Sequence, residues 1–140
     1  MKIVLGVDGS EPASRAVDWC AQHAAALDAE VVVVHAIEVP VMVTPLSPVP
    51  MFQFSDVDRD EIREVARSEW CAPLTHAGVP FRIVTKDGAP TQALMSIADA
   101  ERADLVVVGR RGLGGFAELV VGSTSYALVH HRGRPLLLIP

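Results

Sequence analysis

The 140-residue sequence predicts an α/β fold, a doubly wound sheet of five parallel strands in the order 3-2-1-4-5 with helices on both faces. Two observations carry that reading. The apolar runs Val31 to Val34, Leu105 to Val108 and Leu136 to Ile139 are short and continuous instead of alternating, as in strands covered on both sides. Between them lie stretches whose apolar residues recur every three or four positions, the period of an amphipathic helix. Strands that alternate with helices build a parallel sheet with right-handed crossovers, which leaves few topologies.

Lys2 to Val7 is the first strand. Asp8-Gly9-Ser10 breaks it, and Ser10 is placed to cap a helix whose first turn contains Pro12. Ala13, Ala16, Val17, Cys20, Ala24 and Leu27 form the apolar stripe of that helix, and Glu30 to Ile37 follows as the second strand. From Glu38 to Ser55 the chain carries Pro40, Pro45, Pro48 and Pro50 among apolar residues, which predicts a long mobile connection without helix or central strand. Asp56 to Ala77 reads as one helix with Val57, Ile62, Val65, Ala66, Trp70 and Leu74 as its apolar positions, stopped by Gly78. Phe81 to Thr85 is the third strand, Gly88 to Glu101 a helix opened by Pro90, and Leu105 to Val108 the fourth strand. Ser123 to Arg132 is the last helix, closed by Gly133, and Leu136 to Ile139 the fifth strand.

Length and composition narrow the function. The chain is sized for a single domain spanning 1–140. Mean hydropathy is high at +0.32, yet no run approaches the roughly 20 apolar residues of a membrane span. Lys2 leads straight into Ile3-Val4-Leu5 with no signal-peptide core, so a cytoplasmic location is expected. A net charge of −5 argues against nucleic acid as a partner. Cys20 and Cys71 fall in helical stretches without CxxC spacing and are expected as buried free thiols, neither disulfide nor zinc ligands. The only lysines, Lys2 and Lys86, lie outside any G-x4-G-K-[ST] loop, which excludes a P-loop nucleotidase. The first turn, Gly6-Val7-Asp8-Gly9-Ser10, also lacks the dinucleotide G-x-G-x-x-G. His35, His130 and His131 are expected to be structural: the first as a core histidine at a strand end, the others at a helix C-terminus, where the dipole favours cations.

A doubly wound sheet binds its ligand outside the carboxyl ends of the strands, where the strand order reverses. The loops that end strands one and four are therefore the candidate site. The second of them, Gly109-Arg110-Arg111-Gly112-Leu113-Gly114-Gly115, places four glycines in seven residues and runs on to Gly122-Ser123-Thr124 at a helix start. Glycines permit close backbone approach, and consecutive amides followed by a helix N-terminus form an anion site, to which Ser123 and Thr124 add hydroxyls.

The spacing Gly109-x2-Gly112-x9-Gly122-Ser123 resembles the ATP-binding signature of the universal stress protein family, of the Rossmann-like type. The opening Val4-Leu5-Gly6-Val7-Asp8-Gly9-Ser10, the strand end Val34-His35-Ala36 and the closing Arg134-Pro135-Leu136-Leu137 resemble it too. The resemblance covers essentially the whole chain. It implies a nucleotide, ATP with Mg2+, whose adenine lies between the first two strand ends and whose phosphates lie on the glycine loop. Asp8 would then meet the nucleoside and Ala36 the adenine through its backbone, with Gly6 and Val108 in the same nucleotide site. Gly109, Arg111, Gly112, Gly122, Ser123 and Thr124 would hold the phosphates.

Three positions have alternatives. Asp8 either accepts hydrogen bonds from the nucleoside or caps backbone amides in its own turn. Arg110, where the family often has Ser, and Arg111 either clamp phosphate or stay solvated. Family members often pair the fifth strand with its copy in a second subunit, so a homodimer through 136–139 is expected. The function that follows is a nucleotide-responsive stress regulator without evident catalytic machinery. The alternatives are a nucleotide-independent dimeric interaction module of the same fold, or a slow ATPase or autophosphorylating protein.

Overall fold

The computed structural model describes residues 1–110, 123–130 and 133–140. Seven strands and five α-helices follow one another along them: β1 (Lys2–Gly6), α1 (Glu11–His23), β2 (Glu30–Ile37), β3 (Val41–Val43), β4 (Pro48–Pro50), α2 (Asp56–Val65), α3 (Ala72–His76), β5 (Phe81–Asp87), α4 (Pro90–Ala100), β6 (Leu105–Gly109), α5 (Ser123–Val129) and β7 (Leu136–Ile139). Five strands form one parallel sheet in the order β5-β2-β1-β6-β7. Set aside β3 and β4, which pair only with each other, and this is the expected order 3-2-1-4-5.

Residue parity along the central strands sorts the core into two layers, because successive side chains point to opposite faces. Ile3, Leu5, Val7, Val31, Val33 and Val107 pack with Ala16, Val17 and Cys20 of α1 and with Cys71 and Leu74. Val4, Val32, Val34, Val106 and Val108 pack on the other face with Leu94, Met95 and Ala98 of α4 and Leu128 of α5. Each such buried aliphatic side chain contributes about 1.5–3 kcal/mol. The register sets Leu5 opposite Val33 on one side and Val107 on the other, so that β6 runs one residue and β2 three residues beyond the carboxyl end of β1.

Three local readings need correction. The Pro-rich stretch folds into the β3–β4 hairpin; two three-residue strands off the main sheet tolerate proline because neither is central. The second helix is broken: a π-helical turn over Ala66–Trp70 separates α2 from α3, and Pro73, which cannot donate to the preceding turn, lies just past that break. Only part of the expected stripe is therefore buried, with Ala66 and Leu74 inside and Val57 and Val65 exposed; α1 ends at His23, leaving Leu27 exposed as well. The caps follow local chemistry. Ser10 Oγ accepts from Ala13 N, and Ser55 and Asp58 form a reciprocal capping box at the start of α2. Arg59 then forks onto Asp87 with bonds of 2.8 and 2.7 Å, tying α2 to the end of β5.

Candidate functional site

Strand order reverses between β1, which leads through α1 to β2, and β6, which continues to β7. At that crevice Gly6 ends β1 and Val108 stands beside it, so that a Cβ on Gly6 would lie 3.0 Å from Val108 Cγ1 and 3.1 Å from Leu94 Cδ2. Gly6 faces Val34 in the sheet, and Val7 N donates to Val34 O at 3.0 Å. Asp8 and Ala36 each follow two residues after that last pair of the ladder. Gly6, Asp8, Ala36, Val108 and Gly109 therefore cluster at the carboxyl ends of three adjacent strands.

The turn after β1 is built by its own side chains. Asp8 Oδ1 accepts from Ser10 N at 3.0 Å, an Asx turn, and Gly9 takes φ +77°, a left-handed conformation that favours glycine. Trp70 packs directly over it, with its indole 3.0 Å from where a Cβ on Gly9 would be. The Trp70 ring also meets His35 edge-on, centroids 5.2 Å apart. His35 Nδ1 donates to Val7 O at 2.9 Å, which fixes its tautomer and ties β2 to the turn.

Gly109 has a structural requirement that its sequence context does not advertise. A Cβ there would lie 2.5 Å from the carbonyl carbon of Pro12 and 2.8 Å from Ala13 N, so the first turn of α1 sits on the Gly109 backbone. The Gly109 carbonyl accepts from the buried Ser125 hydroxyl at 2.9 Å, anchoring α5 beside the end of β6. Sequence reasoning missed Ser125. Its signal was the spacing Ser125 to Leu128, the inward face of a helix whose Tyr126 and Val129 are exposed. Ser123 and Thr124 open α5, close in sequence to that anchor. Arg111, Gly112 and Gly122 lie outside the described residues. Arg110 continues from β6, its amide donating to Ile139 O at 2.6 Å. Its Nε is buried without a hydrogen-bond partner among the described residues, a donor on a cationic group that an anion would satisfy.

Other chemistry is scarce among the described residues. No group of three His, Cys, Asp or Glu is arranged to hold a metal, and no helix is long and apolar enough to cross a membrane. Burial pushes the Cys20 thiol up to about 12 and the Cys71 thiol up to about 11, which keeps both protonated and poorly nucleophilic. A concavity of about 470 Å3 lies at the opposite, amino ends of the strands, lined by Lys2, Asp28, Glu30 and Asp104 among others. There Lys2 is already bonded to its acidic neighbours, and that concavity lies at the other end of the strands from the carboxyl-end crevice.

A profile of the universal stress protein family matches residues 1–140. The universal stress protein in the QAH/OAS sulfhydrylase 3′ region of Thermus aquaticus is 38% identical over 138 residues, covering 98% of this chain and 96% of its own. A solved universal stress protein in complex with cAMP is 28% identical with a TM-score of 0.71, over 99% of this chain and 95% of that one. Universal stress protein UspA from Lactobacillus plantarum superposes with a TM-score of 0.80 at 19% identity, covering 100% of this chain and 97% of its own.

Proposed function

The chain belongs to the universal stress protein family, and on that footing we propose that it binds an adenine nucleotide, ATP with Mg2+, and acts as a nucleotide-responsive regulator. The single observation that carries the reading is the crevice at the strand-order reversal, where Gly6 and Val108 meet and from which the Asp8 turn and the Ala36 strand end follow two residues on. The complex of a 28%-identical family member with cAMP supports it.

In this reading the adenine lies against Gly6, Val108 and the backbone of Ala36. The Asp8 carboxylate accepts from the adenine amine or a ribose hydroxyl while its Oδ1 keeps the Ser10 amide. The phosphates take amides and hydroxyls from Gly109, Gly112, Gly122, Ser123 and Thr124. Arg111 adds charge, and the Nε of Arg110, without a hydrogen-bond partner among the described residues, fits the same anion. Mg2+ would arrive with the triphosphate, since magnesium is commonly held by substrate phosphates and water more than by a protein cage.

Thermal unfolding and calorimetry test this. ATP at about a hundred times its dissociation constant stabilises the wild type by roughly 2.7 kcal/mol. Asp8→Ala weakens binding by about 1–3 kcal/mol, the worth of a hydrogen bond to a charged group. Gly122→Val abolishes the shift by placing a branched side chain where phosphate must approach. A wild type with neither a shift nor a heat of binding, magnesium present, overturns the proposal in favour of a nucleotide-independent interaction module.

A further inference from the structure

Residues 39–55 contain no charged side chain, in a chain of which 21% is charged. This stretch includes the hairpin, and its apolar residues are turned outward: Val43 is 83% and Leu46 97% exposed, and Val41, Met42, Val49, Met51 and Phe52 are exposed as well. The phase of the ladder follows from three pieces of geometry. Val41 faces Pro50, Met42 faces Val49 and Val43 faces Pro48. Met51 N donates to Pro40 O at 2.9 Å and Thr44 N to Ser47 O at 3.3 Å. In an antiparallel pair hydrogen-bonded and non-hydrogen-bonded positions alternate, so the hydrogen-bonded pairs are 40/51, 42/49 and 44/47.

The two outer edges of the hairpin are consequently unlike. On β4 the outward-facing positions are Pro48 and Pro50, which have no N–H, and that edge cannot be extended as a ladder. On β3 the outward-facing positions are Val41 and Val43, each with an N–H and a carbonyl directed away from β4. One edge is closed by proline and the other is, among the described residues, open, apolar and uncharged, the condition in which an edge strand recruits another.

We propose that two copies of this chain associate by antiparallel pairing of β3 with β3, joining their hairpins into a four-stranded sheet. A twofold axis through Met42 sets Val41 of one copy opposite Val43 of the other, and both outward positions exchange both of their bonds. The occupant is a second copy because the edge is its own complement under that axis. The absence of charge removes repulsion between two chains of net charge −5 at the contact, and it offers nothing to a charged peptide or a nucleic acid. The prolines of β4 block the heterologous β3-to-β4 contact that would grow a filament, so the pairing closes as a dimer. This interface is separate from any pairing through β7.

The experiment uses the full chain carrying Met42→Cys or Leu46→Cys under oxygen and copper phenanthroline; Cys20 and Cys71 are buried and do not compete. At a non-hydrogen-bonded pair on the axis the two Cβ atoms are about 4.5–5.5 Å apart, close to disulfide reach, whereas position 46 lies well away from the axis on each copy. Met42→Cys is expected to crosslink at least about tenfold faster than Leu46→Cys, since random collision would favour the more exposed position 46. Val43→Pro removes an outward N–H and leaves the bonds to β4 intact. By sedimentation it should weaken association about tenfold to a hundredfold, two lost hydrogen bonds per dimer, with an unchanged thermal midpoint as the check on folding. Where the wild type assembles beyond a dimer, Val43→Pro should reduce it to dimers. Equal crosslinking at 42 and 46, a wild type that sediments only as a monomer, or a dimer indifferent to Val43→Pro each overturns the proposal.

Discussion

The two ends of the central strands are held by different physics. At the amino ends, charge does it: Lys2 Nζ lies 2.9 Å from Glu101 and 3.2 Å from Glu30, Arg82 reaches Glu101 at 2.5 Å, and Lys2 N donates to Asp104 at 2.7 Å. At the carboxyl ends, close packing does it: Gly109 under the first turn of α1, Gly9 under Trp70, and Ser125 on the Gly109 carbonyl. Solvent-exposed ion pairs are screened and individually weak, whereas backbone in contact with backbone has nowhere to move. The end that carries the candidate site is thus the sterically determined one, and the opposite end is held by interactions that salt can loosen.

The largest effect expected from this contrast is at Gly109. Gly109→Ala drives a methyl to 2.5 Å from the Pro12 backbone, and the shift of α1 that follows should cost about 3 kcal/mol in urea unfolding without ligand; a cost below about 1 kcal/mol would break the comparison. Next is Gly9→Ala, which combines φ +77° with a 3.0 Å approach to Trp70 and should cost about 2 kcal/mol. Gly78→Ala separates the two causes, having a similar φ of +67° but open space around it. It carries backbone strain alone, and a Gly9 cost no greater than its own would remove Trp70 from the account.

Ser125→Ala comes third. It leaves the Gly109 carbonyl without its hydroxyl donor and should cost about 1–2 kcal/mol, the penalty of a buried unsatisfied acceptor. Hydrogen exchange at the start of α5 should quicken in the same variant, and unchanged exchange would mean that α5 is anchored elsewhere. The smallest effect is at the amino end. Hydrogen bonds from Arg82 first, and then Lys2, hold the Glu101 carboxyl below its ordinary 4.5. A depressed carboxylate stabilises the fold above its unfolded value and loses that contribution as pH falls through the folded value. Glu101→Gln should therefore flatten the stability profile below about pH 4.5, with a difference from wild type that fades in high salt. A difference undiminished by salt would show that Glu101 works through packing.

What the chain wrote locally it wrote clearly. Period and continuity of the apolar residues are properties of neighbouring positions, so Glu30–Ile37 and Leu136–Ile139 were legible to the residue, handedness left few sheet orders, and Ser10 declared itself as a cap. The crevice was legible too, since a reversal of strand order is a consequence of that order. Tertiary structure alone decided the rest, because it depends on which distant backbones come into contact. The spacing around Gly109 suggests an anion loop, yet the nearest steric demand on that residue comes from Pro12, far away in sequence. Ser125 gains its role only when β6 lies beside α5, and Trp70 only when a π-helical turn swings it over Gly9 and His35. Four prolines argued against regular structure in 38–55, but a hairpin needs only its inward-facing amides, and Pro48 and Pro50 fall on the outward positions where no amide is used.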